Sequence, residues 1–386
     1  MTTSKNVRLG IIGMGNMGSA HARSILADKV PGLELAAIAD KAKDRLEPFK
    51  DITSFSEGSD LIASGQVDAV LIATPHYDHT TLGIQALEAG LHVLVEKPIS
   101  VHKADCERLI AAHQNSDQVF SAMFNQRTDP CYTKLKELIT NGEFGKINRV
   151  QWTVTSWFRT YHYYASGGWR ATWEGEGGGV LMNQCPHQLD LWQWLFGMPE
   201  SIQSHIELGR FHDIEVEDDV TAYLRYADGM SGVFITTTGE APGTNRLEIA
   251  AERGRIVVED ETITWIRHET ETTAHSKTAK SGFGKPSTWT IDIPVNGSGE
   301  QHVGILKNFT NAILHGEELI APAAEGIHSV ELANAMIQSG LEKKNISLPI
   351  DAPAYEGLLK DLIKNSTFEK QVSETVASAD DFAASN

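Results

Sequence analysis

Two sets of residues in this chain have the types and spacing that chemistry needs. The first is Gly13-Met14-Gly15-Asn16-Met17-Gly18, a G-x-G-x-x-G turn directly after the apolar run Val7–Ile12. In that context Gly13 makes the tight turn, Gly15 lets backbone approach a pyrophosphate, and Gly18 lets helix and strand pack closely. The helix that opens at Asn16 and Met17 offers free N–H groups to the phosphates. Asp40 closes the next apolar run, 22 residues past Gly18. A carboxylate there binds the adenosine ribose hydroxyls and repels a 2′-phosphate, so NAD is expected rather than NADP. Lys41 and Arg45 lie near enough to soften that preference. The second set is Asn183, His187, Asp190 and Trp194, spaced four, three and four apart, which one helix face would hold together. On that face Asp190 would orient the His187 imidazole or raise its pKa.

These residues require elements to position them. Val7–Ile12, Glu34–Ala39, Ala69–Ala73, Leu91–Val95 and Val119–Phe124 are unalternated apolar runs of strand length, separated by helix-like sequence. A parallel sheet covered on both faces reads this way. After Gly145 the pattern changes to a period of two, with Val150, Trp152 and Val154 alternating with polar residues, as in an antiparallel sheet with one wetter face. Strand signals recur at Asp219–Tyr226, Ser231–Thr238, Arg246–Ala251 and Arg255–Glu259. Helical patterns cover Val180–Phe196, Gly304–His315 and Ala323–Glu342, and His268–Ser287 reads as a long loop. The expected class is α/β: a Rossmann domain over 1–124, then an α+β domain over 125–372 with a large, mainly antiparallel open sheet. A flexible tail is expected over 373–386.

Composition narrows the function classes. Of 386 residues, 51 are acidic and 33 basic, a formal net charge of −18. Such a chain lacks the basic footprint of a nucleic-acid binder, and anionic membrane surfaces would repel it. Cys106, Cys131 and Cys185 form no C-x-x-C pair and are odd in number, against a disulfide framework or structural zinc. The apolar run Leu9–Ile12 is too short for a signal peptide, and no stretch is long enough for a membrane span. A cytoplasmic protein is expected.

Three further segments carry a resemblance: Thr74-Pro75-His76-Tyr77-Asp78-His79, Glu96-Lys97-Pro98, and Gly177-Gly178-Gly179 through Asn183 to His187. With the N-terminal turn, they make the chain resemble the Gfo/Idh/MocA oxidoreductases over nearly its whole length. Glu-Lys-Pro is the most specific of these motifs and the glycine turn the least. The resemblance implies a nicotinamide enzyme acting on a secondary alcohol of a sugar or cyclitol, as a homodimer or homotetramer. It implies that Lys97 is the active-site lysine and His187 the catalytic histidine. Asn183 stands where many members carry aspartate, and Cys185 where glycine is common. Pro186 should break the helix beside it.

The residue types suit those roles. Hydride transfer from a carbinol needs a base for the hydroxyl proton and a positive group for the developing alkoxide. Histidine serves the first, and a lysine at a strand end serves the second. Lys97–Pro98 is a candidate cis peptide. Thr74, Pro75, His76, His79, Glu96 and Asn125, all at strand ends, are expected to touch the cofactor. His76, Asp78 and His79 are metal-ligand types, but the loop already has a cofactor to serve, and no metal is expected. Arg127, Asn183 and Asp190 are expected at the substrate, with Tyr163 beside Asn183. The aromatic-basic run from Trp157 through Arg159 to Tyr164, repeated at Trp169, Arg170 and Trp173, suits sugar stacking and hydroxyl or carboxylate recognition. It equally suits sheet packing or an oligomer surface. Two rivals stand beside the dehydrogenase: a glycosidase using bound NAD in an internal redox cycle, and a non-catalytic NAD or sugar sensor.

Overall fold

In a computed structural model of the protein, residues 6–372 are described; the tail expected over 373–386 lies outside them. The first sheet has six parallel strands, β1 (Val7–Ile12), β2 (Leu33–Ala39), β3 (Thr53–Phe55), β4 (Ala69–Ile72), β5 (His92–Val95) and β6 (Phe120–Ala122), in the order 3-2-1-4-5-6. Leu9, Ile11, Val70, Leu71, Val93 and Leu94 are fully buried, which is why these strands are apolar without alternation. The chain reverses direction across the sheet between β1 and β4, and a crevice opens there at the strand C-termini. The short β3 carries no apolar run, and its sequence shows no strand signal. The run over 119–124 is strand only at β6, because the chain turns into a 3-10 helix at Asn125–Thr128.

The second sheet has nine strands. They are β7 (Ile147–Val154), β8 (Ser201–Leu208), β9 (Glu217–Arg225), β10 (Ser231–Thr237), β11 (Asn245–Ala251), β12 (Gly254–Glu259), β13 (Thr262–His268), β14 (Thr288–Ile293) and β15 (Ile346–Ser347). Their order is 14-13-12-11-7-10-9-8-15, antiparallel except for the β10–β7 pair. Alternation assigns the faces: Val150, Trp152 and Val154 are buried, and Arg149, Gln151 and Thr153 lie opposite. The helices Pro186–Phe196 and Gly326–Glu342 cover the inner face, where Trp152 stacks on Trp192 at 6.5 Å between ring centres. A Cβ on Gly232 would come within 2.6 Å of that Trp192 ring, so the sheet admits the indole only over glycine. The expected loop at 268–287 contains a helix, Thr272–Thr278, started by Glu252 accepting from the Thr273 amide at 2.8 Å.

The two sheets are tied by more than the chain crossing at Gly145. Gln301–His315 packs on the Asn125–Thr128 turn and on β1. Ala321 pairs with β6, and Lys103 donates to Glu331 at 2.8 Å in a buried ion pair. No helix among the described residues is long and apolar enough to cross a membrane.

Arg127 and Asp190, expected at the substrate, are buried against each other and do not line the cleft beside His187. The guanidinium lies 3% exposed and grips Asp190 through Nε and Nη2, both at 2.7 Å, and Glu325 through Nη1 at 2.6 Å. This network clamps the turn after β6 to the Pro186–Phe196 helix and to the segment before Gly326. An arginine after a strand end gives no sign of the partner that folding will deliver. Arg127→Ala leaves Asp190 buried without its counter-charge, and should lower stability by about 3–5 kcal/mol. The urea midpoint measures this.

Candidate active site

The glycine turn has the expected construction. A Cβ on Gly18 would sit 1.9 Å from the Gly13 carbonyl oxygen, whereas one on Gly15 would meet nothing within 4 Å. Gly18 is thus required by packing, and the space over Gly15 is open for a phosphate. The Asn16–Leu26 helix begins there with no side-chain cap and no acid in its first turn. Its free N–H groups therefore suit an anion. The Asp40 carboxylate accepts from Met14 N at 2.7 Å and Ala42 N at 2.8 Å, and Arg45 approaches it at 3.5 Å. Each oxygen keeps acceptor capacity for a ribose hydroxyl.

Lys97 follows β5 directly, and its bond to Pro98 is cis. The Nζ donates to the main-chain carbonyl of Asn183 at 3.1 Å. Burial, with Arg170 and Arg159 nearby, pushes its pKa down, against the carboxylates of Glu96 and Glu176. The Glu96 side chain is itself buried. It accepts from His21 Nε2 at 2.7 Å, and despite its burial this pairing holds its pKa at about 2. His79 is likewise buried between loops: its Nδ1 lies 2.8 Å from the Pro98 carbonyl oxygen and its Nε2 2.8 Å from that of Thr74, and the single N–H of the neutral ring donates to one of them, joining the loops after β4 and β5. Each of these residues has a structural partner, and neither partnership shows in the local sequence.

The segment Gly177–His187 comes from the other side. Glu217 on β9 accepts from the amides of Gly179 and Leu181 at 2.8 and 3.1 Å, and a Cβ on Gly179 would lie 1.9 Å from the Glu217 carbonyl oxygen. A short helix, Val180–Asn183, starts there. Pro186 opens a second helix rather than continuing the first. Asn183, His187 and Asp190 therefore do not share one helix face. The carboxylate of Asp190 is taken by Arg127, and Nδ1 of His187 is buried without a partner. Burial and the charge of Lys97 push the His187 pKa well below 6.5, so the ring is an unprotonated acceptor near neutrality.

The Asn183 side chain works through neighbours. Its Oδ1 accepts from Tyr163 Oη at 3.1 Å and from Gln184, and its Nδ2 donates to buried Glu176. The acid absent at position 183 thus stands at 176, where its charge reaches Lys97. Tyr163 also receives Arg170 Nη1 at 3.1 Å. Trp169 packs on the Arg170 guanidinium at 4.5 Å and edge-on to buried His76 at 5.9 Å. Cys185 is inert core, set against Thr236.

A cleft of 850 Å³ runs from His187, Asn125 and His302 past Trp157, Arg159 and Tyr163 to the β12–β13 turn. Thirteen buried side-chain nitrogens and oxygens lack a partner among the described residues. Five line this cleft: Asn125 Oδ1, Trp157 Nε1, Arg159 Nε, His187 Nδ1 and Gln188 Oε1. Thr74, His76 and Gln184 add three more at the adjoining strand ends and turn. Buried polar groups are normally paired, so this concentration fits a polar ligand and a nicotinamide ribose. Glu176, Gln184, Gln301 and His302 belong to the site without having been legible. Glu176 adjoins the Gly-Gly-Gly run, the one signal available. His302 arrives from a helix more than a hundred residues away.

A parallel sheet with a phosphate-accepting turn, and a buried lysine close to a histidine that lines the cleft, fit an NAD-binding oxidoreductase. Comparison with known proteins agrees. The profile described as "Oxidoreductase family, NAD-binding Rossmann fold" matches residues 7–124, and that of the "GFO/IDH/MocA C-terminal domain" matches 132–257. The chain belongs to the Gfo/Idh/MocA oxidoreductase family. Myo-inositol 2-dehydrogenase of Thermotoga maritima is 27% identical over 66% of this chain and 75% of its own length. Inositol 2-dehydrogenase of Salmonella typhimurium is 31% identical over 49% of this chain and 54% of its own. The WlbA dehydrogenase from Bordetella pertussis, solved with NADH and UDP-GlcNAcA, superimposes with a TM-score of 0.75 at 27% identity, covering 90% of this chain and all of that one.

His302 allows a direct check on the electrostatics. Its pKa is pushed down to about 4, by burial first. An unfolded histidine binds its proton near 6.5, so between these values the unfolded chain holds more protons, and stability falls as pH drops through the window. His302→Gln removes this contribution. Melting curves from about pH 7 to about pH 4 should show the wild type losing more Tm than the variant.

Proposed function

We propose that the protein is an NAD-dependent dehydrogenase of a secondary alcohol on a sugar, sugar derivative or cyclitol. The observation that carries this reading is the Lys97–Asn183 contact, which holds the ammonium close enough to His187 to depress its pKa, with His187 lining a cleft rich in unpartnered polar atoms. Thr74 and the open turn at Gly13–Gly18 suit the cofactor. The acceptor oxygens of Asn125 and Gln188 suit sugar hydroxyls. The names of the relatives, inositol dehydrogenases and a nucleotide-sugar-bound dehydrogenase, support the substrate class.

In this mechanism Lys97 holds the carbinol oxygen and stabilises its negative charge as the proton leaves. His187, kept neutral by burial and by Lys97, takes that proton. Bound NAD supplies the hydride acceptor. Glu176 and the Asn183 carbonyl hold the ammonium in place, and Trp157 and Tyr163 shape the sugar end of the cleft. A cytoplasmic homodimer or homotetramer belongs to the same reading, with the outer face of the nine-stranded sheet, where Tyr223 is exposed, as its contact surface.

Lys97→Met and His187→Ala should each lower kcat by about 100-fold or more while NADH binding, followed by fluorescence, persists. Near-normal turnover in either would sink the assignment. NAD should exceed NADP in kcat/KM by about tenfold or more, through repulsion of the 2′-phosphate by Asp40. Asp40→Ser should narrow the ratio; an unchanged ratio would remove Asp40 from cofactor choice.

A further inference from the structure

Arg159 stands on the segment between β7 and the Tyr161–Ala165 helix, and the fold holds it from behind. Its amide donates to the Thr238 carbonyl at 2.9 Å, and its carbonyl accepts from His212 Nε2 at 2.9 Å. Asp218 in turn binds His212 Nδ1 at 2.9 Å. The guanidinium lies over the Trp157 ring at 5.6 Å and the Tyr163 ring at 5.0 Å. Nη1 donates to the Phe158 carbonyl at 3.0 Å. Nε is buried with no acceptor, and so is the neighbouring Trp157 Nε1. Both side chains line the cleft.

Indole and guanidinium groups donate and never accept. A guanidinium partly withdrawn from water, with no carboxylate beside it among the described residues, has its desolvation uncompensated unless a ligand supplies the counter-charge. The Nε–Nη2 edge is a two-pronged donor whose geometry matches a planar carboxylate. Charge along the cleft is also divided. Arg159 stands close enough to Lys97 to depress its pKa, while the acids lining the cleft, Asp129 and Glu259–Glu261, gather at the β12–β13 turn. An anionic group is therefore favoured beside Arg159 and disfavoured at that turn.

We propose that the substrate is a sugar acid, whose carboxylate is received by the Nε–Nη2 edge of Arg159 and by Trp157 Nε1 while Lys97 and His187 address a hydroxyl of the same molecule. This rests on the dehydrogenase reading above. Phosphate shares the oxyanion chemistry, so the test separates the two.

NADH formation by the full chain is measured with D-glucuronate, D-gluconate, D-glucose 6-phosphate, D-glucose and myo-inositol. A sugar acid should exceed the neutral compounds in kcat/KM by about 10- to 100-fold, the scale of a charge-assisted pair. Arg159→Gln should abolish that margin mainly through KM, and Arg159→Lys should restore only part of it, since lysine lacks the fork. Retained NADH binding shows that the variants fold. Equal turnover of neutral sugars, unaffected at Arg159, overturns the sugar acid and leaves the dehydrogenase standing. A preference for glucose 6-phosphate over both acids overturns the carboxylate. If nothing is oxidised, the dehydrogenase reading fails. Calorimetric titration of D-glucuronate into the NADH-loaded protein then decides the inference alone: binding lost in Arg159→Gln upholds it, and no binding overturns it.

Discussion

The hydrogen bond from Lys97 Nζ to the Asn183 carbonyl is the contact on which this site depends. It joins the C-terminal end of a parallel strand to a turn fastened on the second sheet. Without it, the lysine would be a strand-end charge in one half of the molecule and His187 a helix residue in the other. A main-chain carbonyl is an economical partner for an ammonium. It satisfies one donor without adding charge and leaves the ammonium's other donors uncommitted to it. The geometry around it is held on both sides: His79 pins the Lys97 loop, and Glu217 pins the turn.

Charge around that bond is balanced at short range. Glu96 and Glu176 stabilise the ammonium, and burial with Arg159 and Arg170 opposes them. His21 shields Glu96, so much of that carboxylate's charge is taken up locally. The amide at Asn183 follows from this arrangement. An aspartate there would face Glu176 across a hydrogen-bond distance and set two carboxylates against each other; the amide instead donates to Glu176 and accepts from Tyr163. The departure from the commoner residue at 183 is thus matched by an acid seven positions earlier. Its effect passes to the aromatic wall through Tyr163, which links the catalytic turn to Arg170.

The cleft also shows why residue type predicts a role only in part. Arg127, Asp190, Glu96 and His79 are charged or polar residues at strand ends or on the catalytic helix, and each is consumed by a structural partner. Trp157, Arg159, Gln188 and Asn125 keep atoms with no partner among the described residues. The difference between the two groups is not composition but whether folding delivers a complementary group.

The sequence by itself determined the parallel sheet, the glycine turn, Asp40, the alternating second sheet, and the places of Lys97 and His187. Each is written in local periodicity or in steric demands met within a few residues, as Gly18 meets the Gly13 carbonyl. It did not reveal β3, β8, β13, β14 or β15. Only the tertiary structure decided that Asp190 belongs to Arg127, that Glu176 replaces the acid missing at 183, and that His302 enters the cleft. The first two of those assignments depend on pairings between residues 63 and 7 positions apart. No local pattern encodes such pairings, because electrostatic partners are chosen by distance in space and by burial. The sequence thus placed the candidate groups, and the fold decided which of them are tied to structural partners.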